Sequence, residues 1–220
     1  MSRTEPSTVP ARGAASGTSN GTATFDRLAA PYDRGMAPLE KLALRQMRAE
    51  MAPYAHGKVL EIGVGTGANI SFYAPSVCLT AIDESPDMLA VAARRAASLG
   101  NCVYLSQMDV ETLALPSNYF DTVVTSLVLC SVVSQTRALN ELRRVLRNPG
   151  GQLLLLEHMR PRVRPLAWLV DLANIPWYAL NGRCNLNRET QQAVAQAGFE
   201  VERVESKVGG LLRMIVARAR

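Results

Sequence analysis

The chain has 220 residues, a formal charge of +5 and 48% hydrophobic content, enough apolar material for one domain with a sizeable core. With 20% charged residues, 15 Gly and 12 Pro, it is not a disordered, collagen-like or disulfide-stapled chain. The basic balance rests on arginine, since Lys occurs only at Lys41, Lys58 and Lys207, and without zinc-finger spacing, RNA-binding signature or basic run no nucleic-acid partner is expected.

Fourteen of the first 22 residues are Ser, Thr, Gly, Pro or Asn, which predicts a disordered tail over 1–22 and a single domain over 23–220. The start lacks the charged and apolar regions of a secretory signal, and no run of about 18 apolar residues is present to span a bilayer. A cytoplasmic location is expected. Cys78, Cys102, Cys130 and Cys184 stand far apart without a Cys-x-x-Cys pair, so the expectation is free thiols, no metal site and no redox pair.

From Phe25 the chain turns amphipathic, and Phe25 to Asp33 and Pro38 to Met51 read as two short helices. Lys58 to Ile62 is an apolar strand running into Gly63-Val64-Gly65-Thr66-Gly67, with Ala68 to Tyr73 read as helical. Cys78 to Ile82 is a second strand ending at Asp83. Ser85 then caps and Pro86 opens a helix to about Ser98. Val103 to Gln107 and Phe120 to Ser126 are strands three and four, Ser134 caps a helix through Val145, and Leu153 to Glu157 is strand five. Asn187 is placed to cap a helix through Ala197, and Phe199 to Glu205 and Leu211 to Val216 read as strands six and seven around Gly209-Gly210.

This alternation predicts an α/β, Rossmann-like doubly wound sheet, mostly parallel, with one antiparallel strand near the C-terminus and ligands at the carboxyl ends of its strands. The stretch 159–188 interrupts the rhythm as a substrate-side insertion. In it Leu166, Leu169, Val170, Ala173 and Trp177 recur at helical spacing. Two readings stay open: a roof packed over the acceptor pocket, or a surface helix in peripheral contact with an anionic membrane through Arg160, Arg162 and Arg164.

Gly63, Gly65 and Gly67 crowd the end of strand one, as close approach of a ligand to backbone requires. The turn also satisfies a dinucleotide fingerprint, with Asp83 about 20 residues on, where a ribose partner is expected. Glu61, two residues before Gly63, suits a cationic amino-acid moiety better than a pyrophosphate. Asp109 and Val110 follow strand three, placed to accept from an adenine amino group and to pack on its ring. Met88 and Leu127 are read as apolar contacts to adenine or methionine as well as core.

Val59-Leu60-Glu61-Ile62-Gly63-Val64-Gly65-Thr66-Gly67, Ile82 to Leu89, Gln107 to Glu111 and Leu142 to Gly151 together resemble the class I S-adenosylmethionine-dependent methyltransferases over essentially Phe25 to Arg218. Gly67 to Tyr73, Leu127 to Val132, Glu157-His158 and Cys184 to Glu189 resemble the branch that holds microsomal alkyl-thiol methyltransferases. The apolar amino-terminal anchor of the microsomal members has no counterpart here. Phe25 to Asp33 resembles the opening helix of ubiquinone-pathway and phosphatidylethanolamine methyltransferases, where such a segment closes over the cofactor and would place Tyr32 there.

The resemblance implies an enzyme that binds S-adenosyl-L-methionine and methylates S, N or O of a small lipophilic molecule or a lipid headgroup. His158, just past strand five, is the candidate general base. A nicotinamide-dependent oxidoreductase and a non-catalytic cofactor-binding protein remain as alternatives, which calorimetry with S-adenosylhomocysteine and an acceptor screen separate.

Overall fold

The computed structural model describes residues 32–181 and 183–220. The expected tail, 1–22, and residues 25–31 of the expected first helix lie outside them. Residues 32–39 are helical and pass through a π-helical stretch, Glu40–Leu44, into α1, Arg45–Met51. From residue 32 the described chain is thus helical through Pro38 to Met51 without a break. The wider π turn just beyond Pro38 is where the helix absorbs a residue that cannot donate its backbone bond.

The remaining elements are β1 (Val59–Ile62), β2 (Leu79–Asp83), α2 (Pro86–Leu99), β3 (Val103–Gln107), β4 (Thr122–Ser126), α3 (Gln135–Val145) and β5 (Gln152–His158), followed by α4 (Arg164–Asn181), α5 (Thr190–Gln196), β6 (Phe199–Lys207) and β7 (Leu212–Ala219). Ser85 Oγ accepts from Met88 N at 3.1 Å and Ser134 Oγ from Arg137 N at 3.3 Å, so both predicted caps form. Two local expectations fail. Ala68 to Tyr73 yields only a 3-10 turn, Ile70–Phe72, because Pro75 follows too soon for an α-helix to propagate. Asn187 caps nothing and instead donates to Asp171 Oδ1, while α5 begins after Glu189.

The sheet order is β3-β2-β1-β4-β5-β7-β6. All pairs are parallel except those of β7, which runs antiparallel to both β5 and β6, the single reversed strand the sequence predicts. Alternate residues of each strand feed two cores. In β5, Leu153 and Leu155 pack with Leu139 and Leu142 of α3 and Val194 of α5. Leu154 and Leu156 face Met47 and Met51 of α1 and Ala92 of α2. A strand buried on both faces reads as an unbroken apolar run, here Leu153 to Leu156.

Strand order reverses between β1 and β4, so crossovers leave in opposite directions there and a crevice opens beyond their carboxyl ends.

The four-free-thiol expectation is corrected. Cys78 and Cys102 form a disulfide with Cα atoms 4.7 Å apart, while Cys130 and Cys184 are free. The pair immediately precedes β2 and β3, whose parallel register sets Leu79 opposite Val103, and so brings together two cysteines 24 residues apart.

α4 also departs from expectation. Ala167 and Val170 are buried, but Leu169 and Trp177 are exposed, as are Trp168 (64%), Ile175 (70%) and Leu180 (84%). A helix that is apolar all round cannot bury more than one face against a single domain.

Candidate active site

The crevice is a cleft lined by the glycine turn, the ends of β2 and β4, and the loops after β3 and β4. Of the residues singled out by sequence, Tyr32, Gly63, Gly65, Asp83, Met88, Val110 and Leu127 line it together. Glu61, Gly67, Asp109 and His158 lie behind or beside this lining.

Gly65 has φ +54° and no atom within 4 Å of where a Cβ would stand, so its missing side chain is space on the cleft side. Gly63 and Gly67 are glycines for packing: a Cβ at Gly63 would lie 2.4 Å from Val128 Cγ2, and one at Gly67 would lie 2.7 Å from Ile70 Cδ1. Asp83 is pinned by two backbone amides, accepting from Gly65 N at 2.8 Å and from Ser85 N at 2.9 Å. It therefore fixes the turn and holds its carboxylate at the cleft wall.

Asp109 Oδ1 accepts from Glu111 N at 2.8 Å, which sets the loop that carries Met108 and Val110 into the cleft. Leu127 has φ +59°, a strained conformation for a branched side chain, and its N–H donates to Leu156 O at 2.8 Å.

Glu61 points inward. It is 2% exposed, with Oε1 accepting from Asn69 Nδ2 and Oε2 from the Tyr73 hydroxyl, both at 2.8 Å. Arg48 Nη1 donates to Asn69 Oδ1, and Arg48 also pairs with Glu40 at 2.9 Å. Burial raises the Glu61 carboxyl from 4.5 to about 7, against the lowering effect of Asn69, Tyr73 and Arg48. Sequence reasoning missed this network, because residues 48, 61, 69 and 73 meet only in the fold.

Tyr32 sits over the cleft on the first described helix. Asp33, the next residue, ties that helix down: it accepts from Thr66 Oγ1 at 2.7 Å and pairs with Arg95. Burial pushes the Tyr32 hydroxyl up to about 12, with the charges of Cys130, Cys184 and Asp83 adding and Arg48 opposing. Across the opening, Arg183 Nη1 pairs with Glu84 Oε2 at 3.0 Å, and both residues line the cleft. Sequence analysis named neither.

His158 does not line the cleft. Its Nε2 lies 3.1 Å from Cys184 Sγ, and Cys184 Sγ lies 3.9 Å from Cys130 Sγ. The hydrogen bond with Cys130 lowers the Cys184 thiol despite burial, and His158 lowers it further. Burial works against charging His158, but the bond to Cys184 together with the charges of Cys184 and Glu157 outweighs it and raises the imidazole. The cluster adjoins the cleft, since Ser131 next to Cys130 and Arg183 next to Cys184 both line it. Neighbours in space but 28 and 26 residues apart in sequence, these three groups form no motif that spacing could display.

A methyltransferase-domain family model matches residues 60–155. The chain is 33% identical over 174 residues to the thiol S-methyltransferase TMT1A of Homo sapiens, covering 76% of this chain and 70% of that one. It is 38% identical over 113 residues to a phosphatidylethanolamine N-methyltransferase of Cereibacter sphaeroides, spanning 50% of this chain and 55% of the relative. An S-adenosylmethionine-dependent methyltransferase of Thermotoga maritima shares the fold with a TM-score of 0.71 at 20% identity, covering 90% and 99% of the two chains.

The open space at Gly65, the anchored carboxylate of Asp83 and the apolar wall of Met88 and Val110 fit a nucleoside bearing a charged amino-acid tail. At the identity and coverage of the human relative the relationship is one of family: this chain belongs to the class I S-adenosylmethionine-dependent methyltransferases, and S-adenosylmethionine is its cofactor.

Proposed function

We propose that this enzyme methylates the sulfur of a small lipophilic thiol. The observation that carries the reading is the cluster of Cys130, His158 and Cys184 beside a cleft to which Leu127, Val128 and Val132 give an apolar patch. An imidazole and two polarizable thiols beside the cleft can receive the proton of, and pack against, a sulfur acceptor, and a thiol S-methyltransferase is among the relatives.

In this reading Asp83 accepts from the ribose hydroxyls, Met88 and Val110 pack on the adenine, and Asp109 sets the loop beneath it. Gly65 gives the backbone its close approach while Gly63 and Gly67 let the turn pack, Glu61 faces the positive end of the site through Asn69, and Leu127 and Tyr32 close it. When bound, S-adenosylmethionine supplies a methyl group already activated on a sulfonium, so the chain's task is to align donor and acceptor and keep water out.

The purified enzyme should convert an alkyl thiol to its methyl thioether, measured by mass spectrometry beside an alkyl amine, a phenol and phosphatidylethanolamine vesicles at equal concentration. Product from the amine or the lipid with none from the thiol would overturn the sulfur reading.

The face of α4 supports a lipophilic acceptor and a membrane contact. Among the described residues no helix is long and apolar enough to cross a bilayer. Trp168, Leu172 and Ile175 are exposed, with Arg162 and Arg164 exposed at the helix start and its one acid, Asp171, paired to Arg160 at 2.8 Å. An apolar surface edged by arginines complements anionic headgroups. Sedimentation with anionic vesicles at low salt should recover the protein, and Arg162→Gln with Arg164→Gln should reduce recovery several-fold. Recovery with neutral vesicles alone, or with none, would leave the acceptor arriving from solution.

A further inference from the structure

Cys130 follows the end of β4, His158 ends β5 and Cys184 lies between α4 and α5, yet their ligand atoms lie within 4.8 Å of one another. We propose that Cys130, His158 and Cys184 form a three-ligand Zn2+ site beside the cleft, with a fourth coordination position open to the sulfur of the acceptor thiol. The last clause rests on the thiol reading above, whereas the metal site does not.

The distances suit the ion. Two Zn–S bonds of about 2.3 Å at the tetrahedral angle set their sulfurs roughly 3.8 Å apart, and the observed Sγ–Sγ separation is 3.9 Å. That spacing is far beyond the roughly 2.0 Å of a disulfide. His158 Nε2 lies 3.1 Å from Cys184 Sγ, and all three ligand atoms lie within 4.8 Å of one another, close enough to share one ion. Two thiolates and an imidazole select zinc over magnesium or calcium, which take oxygen, and their two negative charges balance the cation. Three protein ligands with one open position is the pattern of reactive rather than structural zinc.

Hydrogen bonds hold the two cysteine-bearing segments and the end of β5 in place. Asn185 N donates to Cys130 O at 3.0 Å, which locks the Cys184 loop to the Cys130 turn. Arg188 donates to Leu129 O at 2.7 Å and to Val132 O at 2.6 Å, on either side of Cys130. Buried Glu157, next to His158, accepts from Val128 N at 2.8 Å and Leu129 N at 3.0 Å. Cysteine ligands whose backbone is fixed by such bonds bind metal without paying for their own ordering.

In the open position the acceptor's S–H proton passes to water. The thiolate lone pair forms the new S–CH3 bond as the methyl–sulfonium bond of the donor breaks, leaving S-adenosylhomocysteine as a neutral thioether with no change in the metal's oxidation state.

The test uses the full chain kept reduced with a phosphine, dialysed against Zn2+ or Co2+ without cofactor. One equivalent of zinc should remain, and the cobalt form should show thiolate-to-metal charge-transfer bands and tetrahedral d–d bands that shift on adding an alkyl thiol. Cys130→Ser, Cys184→Ser and His158→Ala should each weaken metal binding by roughly 100-fold, while S-adenosylhomocysteine affinity, read by calorimetry, stays within about twofold and reports an intact fold. No retained zinc with a featureless cobalt spectrum, or full stoichiometry in all three variants, overturns the site. Bands that ignore added thiol overturn the open position. Thiolate bands in a protein that methylates no thiol would support the metal site and sink the sulfur reading.

Discussion

Gly65→Val is expected to abolish S-adenosylmethionine binding while the sheet stays folded. The position has φ +54° and lines the cleft with nothing within 4 Å of the Cβ direction. A Cβ there meets no protein atom within 4 Å, so the main cost to the free enzyme is the backbone strain of a β-branched residue in the left-handed region, about 1–2 kcal/mol. The two valine methyl groups occupy the volume through which the cofactor approaches the turn. Calorimetry with S-adenosylhomocysteine should show affinity falling by roughly 100-fold or more, equivalent to about 3 kcal/mol, with a melting temperature only modestly lowered. Gly63→Val should behave oppositely, losing stability first, because its Cβ would collide with Val128. Retained binding in Gly65→Val would move the cofactor to another part of the cleft.

Replacing Glu61 by Gln should change how stability depends on pH. Burial raises its carboxyl from 4.5 to about 7. Between those values the folded chain holds a proton that the unfolded chain has lost. Raising the pH through this window therefore favours unfolding, and the stability that the protonated form provides is gone above about pH 7. Across that window the loss amounts to roughly 3 kcal/mol. A glutamine at this position cannot ionise, and its amide can still bond Asn69 and Tyr73, so the Glu61→Gln variant should lose this slope. Urea unfolding of both proteins from about pH 4.5 to about pH 8 should show the difference moving by roughly 3 kcal/mol in favour of the variant. Parallel pH profiles would mean that Arg48 and Asn69 keep Glu61 ionised throughout.

The alternating fold was legible because each element carries its own period. Leu153 to Leu156 announces a strand buried on both faces, Ser85-Pro86 and Ser134 announce helix starts, and Gly209-Gly210 between two short strands announces the reversal that makes β7 antiparallel. The lining of the cleft was legible for the same reason: Gly63, Gly65, Asp83, Met88, Val110 and Leu127 each end or follow a strand at the carboxyl end of the sheet, and they line one cleft. Where local signals competed, they misled. Pro38 suggested a helix break that the π turn absorbs, and Ala68 to Tyr73 had helical composition without the length to propagate.

By itself, then, the sequence determined the sheet, its single reversed strand and the glycine turn, because hydrophobic period and turn chemistry act over a few residues, and its family resemblance pointed to the cofactor. Tertiary structure alone decided which distant groups meet. Parallel register set Cys78 against Cys102, and the crossover geometry brought Cys130, His158 and Cys184 within 4.8 Å. Packing of α1 against the turn drew Arg48, Asn69 and Tyr73 around Glu61. It also decided that α4, apolar on every side, has only enough protein beneath it to bury Ala167 and Val170. Such contacts depend on strand register and helix docking, which no local spacing encodes.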